Sequence, residues 1–221
     1  MSIEGYVLAG GAGRRMGLDK ARAPWQGLPL AAWVAEQIDP AVAGVTLVRR
    51  GRPDGLPWCD RVGRALPVVY EPDDGPRHPL AGVVCALTQT ASDHVLIAPC
   101  DTVGLTPEVA RRLVAAGPCV ASDGERVHPL LAVLPRERLD LARQLLAAQA
   151  PCRALVEGLP QVRLDAHTLV NANRAAQIDD PLRALAARLP AGQATERLLT
   201  GERRRLAARG ILAPPAEGEG A

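Results

Sequence analysis

His94-Val95-Leu96-Ile97-Ala98-Pro99-Cys100-Asp101 lies near the middle of the chain, and the architecture follows from how it is read. The run 94–98 is apolar after its first residue and shows no alternation of polar with apolar. A strand with no face for water belongs to a parallel sheet covered by helices on both sides. Asp101 then stands just past the carboxyl end of that strand, where open α/β sheets bind their ligands.

The segments on either side fit the same plan. Residues 3–8 form a short apolar run feeding a glycine-rich loop, and residues 45–48 and 67–70 read as further strands. Pro29 opens a helix with Leu30, Trp33, Val34 and Ile38 on one face, closed by Asp39-Pro40. Pro79 opens another, with Leu80, Val83, Val84 and Leu87 in register. Thr106-Pro107-Glu108 supplies an N-cap, a proline at the first helical position and an early acid, and Gly117-Pro118 stops that helix. Asp123-Gly124 predicts a tight reversal between strands at 119–122 and 127–134. A helix is expected over 139–148, short strands over 162–164 and 167–170, and a helix from Asp180-Pro181. Strands alternating with helices predict a three-layer α/β/α sandwich around a Rossmann-like, mostly parallel sheet. Residues 1–190 are read as one domain, and 191–221 as a basic helical extension with a flexible tail.

Composition narrows the function classes. The net charge of +2 is too small to mark a nucleic-acid binder. No stretch has the roughly 18 consecutive apolar residues of a membrane span. An acid at Glu4, where a secretory signal carries basic charge, points to the cytoplasm. The five cysteines form no CxxC pair, so neither a zinc site nor a disulfide framework is expected.

The chemistry concentrates between Leu8 and Lys20. Gly10, Gly11 and Gly13 let backbone N–H groups close around phosphate oxygens, and Arg14, Arg15 and Lys20 neutralise their charge. A glycine-rich turn with solvated arginines is the plainer alternative. A dinucleotide fingerprint is disfavoured because Gly11-x-Gly13-x-x-x-Gly17 is one residue too long, and Pro24, Gly27 and Pro29 interrupt the helix it requires. Asp101 suits Mg²⁺, which takes only one or two protein carboxylates, although a helix-capping acid is an equal reading of its position. His78 and His128 lack partner ligands at metal spacing and read as packing residues.

Several separated motifs together resemble the molybdenum cofactor guanylyltransferase (MobA) family of the nucleotidyltransferase superfamily. They are Leu8-Ala9-Gly10-Gly11 with Arg15-Met16-Gly17 and Asp19-Lys20, then Pro79-Leu80-Ala81-Gly82, Pro99-Cys100-Asp101, Asp123-Gly124-Glu125-Arg126 with His128-Pro129, and Asn171-x-Asn173. The resemblance spans residues 6–189 and implies the nucleotide-diphospho-sugar transferase type of fold. It implies GMP transfer from GTP to molybdenum-molybdopterin with Mg²⁺, releasing pyrophosphate. By the same resemblance Leu8, Ala9, Gly10, Gly11 and Gly13 hold the nucleotide, Arg15 and Lys20 the phosphates, and Asp101 the metal. Pro79, Gly82, Asn171 and Asn173 shape the acceptor side. Relatives that use CTP tend to carry alanine at the place of Gly10, which favours GTP. A cytidylyltransferase and a non-catalytic nucleotide binder are the alternatives. Molybdenum-insertion proteins or molybdoenzyme chaperones are the implied transient partners, with neither nucleic acid nor membrane involved.

The chain departs from the family pattern at four places. His78 replaces a glycine, Arg49 or Arg50 replaces an asparagine, and Arg174-Ala175 replaces Thr-Pro. The aspartate expected after the third strand is placed among Glu71, Asp73 and Asp74, because the loop length differs, and Asp73 is taken to face the nucleotide.

Overall fold

A computed structural model of the chain describes residues 2–10, 19–51 and 57–169. They run through β1 (Ile3–Leu8), a 3-10 turn (Lys20–Arg22), β2 (Pro24–Trp25), β3 (Leu28–Pro29), α1 (Leu30–Ile38), β4 (Val45–Arg49) and β5 (Val68–Tyr70). There follow α2 (Pro79–Gln89), β6 (His94–Pro99), α3 (Pro107–Ala115), β7 (Cys119–Ser122), β8 (Val127–Pro135), α4 (Leu139–Ala147) and β9 (Gln161–Arg163). The expected helix from residue 180 and the extension 191–221 lie outside the described residues.

Seven strands form one sheet in the order β5-β4-β1-β6-β8-β7-β9. β5, β4, β1 and β6 are parallel; β8 runs antiparallel to both β6 and β7, and β9 is parallel to β7. β6 shows why its sequence carries no polar alternation. Leu96 and Ala98 enter the core beneath α1 and α3, Val95 and Ile97 the core beneath α2 and α4, and all four are fully buried. Val95, Leu96 and Ile97 so buried contribute roughly 1.5–3 kcal/mol each, and the Ala98 methyl about 0.8 kcal/mol. Gly5 lies where α1 crosses β1, since a Cβ there would come within 2.9 Å of Ile38 Cδ1.

Helix starts follow the residue before each N1 proline. Thr106 Oγ1 accepts from Val109 N at 3.3 Å, and His78 Nδ1 accepts from Leu80 N at 3.2 Å. His78 thus caps α2, more than the packing role expected of it, and the bond leaves the proton of the neutral ring on Nε2. At the expected reversal, Asp123 Oδ1 accepts from Glu125 N and Arg126 N, and Gly124 adopts φ +98°.

Two expectations need revision. Residues 166–169 form a 3-10 turn where a strand was expected, because β7 has ended at Ser122, whose carbonyl takes its last bond from Leu164 N. Thr168 N donates instead to Asp165 O at 2.9 Å. The segment between the glycine-rich loop and α1, for which no element was expected, contains the β2–β3 hairpin, turned through Gln26 and Gly27 with φ of 48° and 81°. Two positive φ angles in succession match the twist of a two-residue hairpin.

Candidate functional site

β1 connects through α1 to β4 on one side, while α2 carries the chain from β5 back to β6 on the other. The connections reverse direction between β1 and β6, and the carboxyl ends of these strands flank the resulting crevice. Ala9 N donates to Val48 O at 2.8 Å and Cys100 N to Leu8 O at 3.1 Å, so the backbone just past β1 is tied to both neighbours. A cavity of about 480 Å³ opens there, floored by Leu8, Gly10 and Pro99 and walled by Arg50, Glu71 and the start of α2 at His78, Pro79 and Gly82. Asp101 lies on its rim.

Lys20 closes toward that rim. Asp19 Oδ1 accepts from Ala21 N and starts the 3-10 turn, and Lys20 Nζ reaches Asp101 Oδ2 at 2.6 Å. Both side chains are about four-fifths buried, which strengthens the pair relative to an exposed one. The α3 cap is Thr106, so Asp101 is not that helix's capping acid. Next to it, burial and then the Asp101 charge push the Cys100 thiol up to about 12.

β4 ends at Arg49 and Arg50 follows it, and the two arginines take different partners. Arg49 holds Asp19 with both forks, at 3.0 and 2.7 Å, and donates to Ala9 O at 3.1 Å. Trp58, itself buried, meets the guanidinium groups of Arg49 at 4.9 Å and Arg22 at 4.0 Å. Arg49 therefore joins the two described residues that bracket the glycine-rich loop. Arg50 donates to Gly75 O and Pro76 O and lies 3.6 Å from Glu71 Oε2. Burial raises the Glu71 carboxyl's pKa, and the Arg50 charge works against that.

Among the expected site residues, Leu8, Gly10, Pro79, Gly82 and Asp101 line the cavity together, with Ala9 just behind it and Lys20 on Asp101. Asp73 is exposed in the turn closed by Gly75 N on Pro72 O and does not line the cavity, whereas Glu71 does. Gly11, Gly13, Arg15, Asn171 and Asn173 lie outside the described residues. The anchoring by Arg49, Arg50 and Trp58 was not read from the sequence, which signalled only that two arginines follow the strand expected over 45–48 and that one of them replaces an asparagine. Among the described residues no group of three or more His, Cys, Asp or Glu side chains is arranged to hold a metal. No described helix is long and apolar enough to cross a membrane.

A mostly parallel sheet in which only β8 runs against the rest, with a cavity at its topological switch, glycine at the floor and a lysine–carboxylate pair at the rim, has the layout of α/β proteins that bind ligands at strand ends. Comparison with known proteins gives the class its name. Residues 5–165 match the model of the MobA-like NTP transferase domain, and the chain belongs to that family. A molybdenum cofactor guanylyltransferase of Cereibacter sphaeroides is 39% identical over 158 residues, covering 68% of this chain and 78% of the relative. The crystal structure of molybdopterin-guanine dinucleotide biosynthesis protein A from Archaeoglobus fulgidus superposes with a TM-score of 0.60 at 20% identity. It covers 79% of this chain and 94% of that one. The 2-C-methyl-D-erythritol 4-phosphate cytidylyltransferase of Thermus thermophilus gives 0.56 at 20% identity, covering 80% and 95%. The last two likenesses concern the fold.

Proposed function

We propose that the protein transfers GMP from GTP to molybdenum-molybdopterin, yielding the molybdopterin guanine dinucleotide cofactor and pyrophosphate. The observation that carries this reading is the Lys20–Asp101 pair at 2.6 Å on the rim of the cavity between β1 and β6. The named relatives, at up to 39% identity over most of the domain, supply the substrate classes.

In this reaction an oxygen of the acceptor's terminal phosphate attacks the α-phosphorus of GTP in line. The bond from the α-phosphorus to its bridging oxygen breaks, and the electron pair leaves with pyrophosphate. A phosphate nucleophile is already ionised at neutral pH, so no general base is needed. The barrier lies in bringing two anions together, and cations fixed in advance lower it. Lys20 exchanges Asp101 for the phosphates, joined by Arg15 and by the amides of Gly11 and Gly13. The backbone at Leu8, Ala9 and Gly10 holds the nucleoside, with Glu71 as the acid toward the base. Pro79, Gly82, Asn171 and Asn173 form the acceptor side.

A lone rim carboxylate fits Mg²⁺ carried in on a triphosphate, since this ion completes its shell with phosphate oxygens and water. Asp101 would hold it, and the ion would supply charge neutralisation across the phosphates. The test is to incubate the protein with labelled GTP, Mg²⁺ and molybdopterin and follow pyrophosphate release. Release with GTP supports the reading, and none with GTP would end it.

A further inference from the structure

Arg49 closes β4 and Arg50 is the next residue, and their guanidinium groups turn to different loops. Arg49 serves the loop after β1, as described. Arg50 turns to the loop after β5 and the cavity wall. Its two terminal nitrogens donate to Gly75 O and Pro76 O, and Nη1 also lies 3.6 Å from Glu71 Oε2. Glu71 is 8% exposed, and its backbone N donates to Arg49 O at 2.8 Å, so the sheet fixes where its side chain begins. The other carboxylate oxygen, Oε1, faces two glycines. A Cβ would come within 2.5 Å of it at Gly10 and 3.2 Å at Gly82. The sequence has thus left the space of two side chains around one buried carboxylate and has put an arginine behind it.

We infer that Arg50 is a positioning residue for base selection: it holds Glu71 ionised and oriented at the cavity wall, so that Glu71 reads the donor edge of guanine. A carboxylate this buried remains ionised at small cost only beside a cation. Once ionised it accepts hydrogen bonds and donates none. Guanine presents two adjacent donors, N1–H and the 2-amino group, which match the two oxygens of a carboxylate. Cytosine presents an acceptor beside its amino donor and does not match. Lysine in place of Arg50 would keep the charge but not the planar fork that spans two carbonyls and the carboxylate. Arg50 touches Glu71 and the 75–76 backbone, and it acts on the nucleotide through them.

The inference rests on the reading that GTP occupies this cavity, and the test separates the two. Calorimetry with Mg²⁺ gives the affinities of the full chain for GTP and for ITP, which is the same triphosphate without the 2-amino group. The unmodified protein, Arg50→Ala, Arg50→Lys and Glu71→Gln are compared, with a thermal melt for each. The unmodified protein is expected to prefer GTP to ITP by roughly tenfold or more, the worth of one hydrogen bond to a charged group. The preference is expected to fall to about threefold or less in Arg50→Ala and Glu71→Gln, and to an intermediate value in Arg50→Lys. An equal loss of affinity for both nucleotides in Arg50→Ala, with the preference intact, would make Arg50 a purely structural or phosphate-directed residue and overturn the inference. A folded Arg50→Lys with the full preference would do the same. An unmodified protein that binds GTP and ITP equally would remove Glu71 as the reader of the base. One that binds neither would remove the nucleotide itself, a failure of the earlier reading recognisable as such.

Discussion

Gly10→Ala is the sharpest perturbation of the cavity floor. The new methyl would lie 2.5 Å from Glu71 Oε1, 3.2 Å from Arg50 Cβ and 3.3 Å from Arg50 N, whereas ordinary contact begins at 3.4 Å. Two of these neighbours belong to or adjoin backbone held by the β1–β4 ladder, so Glu71 has to do most of the moving. Overpacking of this kind costs about 1–3 kcal/mol. Because the struck atom is the end of a flexible side chain, the lower half of that range is expected, a fall in Tm of about 2–8 °C for a domain of this size. Displacing the carboxylate also costs affinity. A hydrogen bond from the base to a charged acceptor is worth about 1.5–3 kcal/mol, so GTP binding should weaken roughly 10- to 100-fold. Gly82→Ala is the stability control. Its contacts, 3.1 Å to Leu8 Cδ2 and 3.2 Å to Glu71 Oε1, are with side-chain ends, and removing a glycine from α2 returns about 1 kcal/mol of helix propensity. Its Tm should stay within a few degrees of the unmodified protein. Thermal melts and GTP calorimetry on both variants decide the matter. A Gly10→Ala protein with unchanged Tm and GTP affinity within twofold would refute the crowding of Glu71 against the floor.

Other outcomes follow from the same geometry. Lys20→Ala and Asp101→Ala should each lower GMP transfer by on the order of 10²-fold, as does loss of other groups aimed at developing charge; near-normal rates in both would move the site elsewhere. Asp123 is held down to about 2 by the Arg126 and Glu125 amides, with His128 adding less. A depressed folded-state value stabilises the fold above the unfolded carboxyl's value and loses that contribution as pH falls from about 4 to about 2. Asp123→Ala should therefore melt below the unmodified protein at pH 7, with the gap closing toward pH 2, and a gap independent of pH would contradict the assignment. Burial and then the Asp101 charge keep the Cys100 thiol protonated at pH 8, and it is the thiolate that reacts. Mass spectrometry after iodoacetamide treatment should find Cys100 unmodified until the protein is denatured, and labelling within minutes in the native state would count against its burial.

Much of the fold was legible because its signals are local. β6 announced a doubly covered sheet by lacking polar alternation, and Pro79 and Pro107 marked helix starts because a missing N–H costs nothing at the first helical position. The same rule makes the residue before each proline a cap, so His78 was readable as one by analogy with Thr106. The 3-10 turn over residues 166–169 was less accessible. Its apolar pattern suits a strand, and only the end of β7 at Ser122, a fact of tertiary pairing, denies it a partner.

The site divides along the same line. Glycines and Lys20 near β1, and Asp101 after β6, were readable because strand ends collect ligands whatever the rest of the chain does. The choice among Glu71, Asp73 and Asp74 was not, since all three follow β5 within four residues. What sets them apart in the structure is that Glu71 N extends the β4–β5 ladder by one bond and Glu71 lines the cavity, while Asp73 falls in the turn beyond. Arg49 and Arg50 pose the same problem on the neighbouring strand. As residue types they are identical, and only their places, one at the end of β4 and one just past it, separate their duties. Moving either arginine by one position would send its guanidinium to the wrong loop. Arg50 and Glu71 thus meet just past the ends of the adjacent strands β4 and β5, over Gly10 and Gly82, whose missing side chains leave them room.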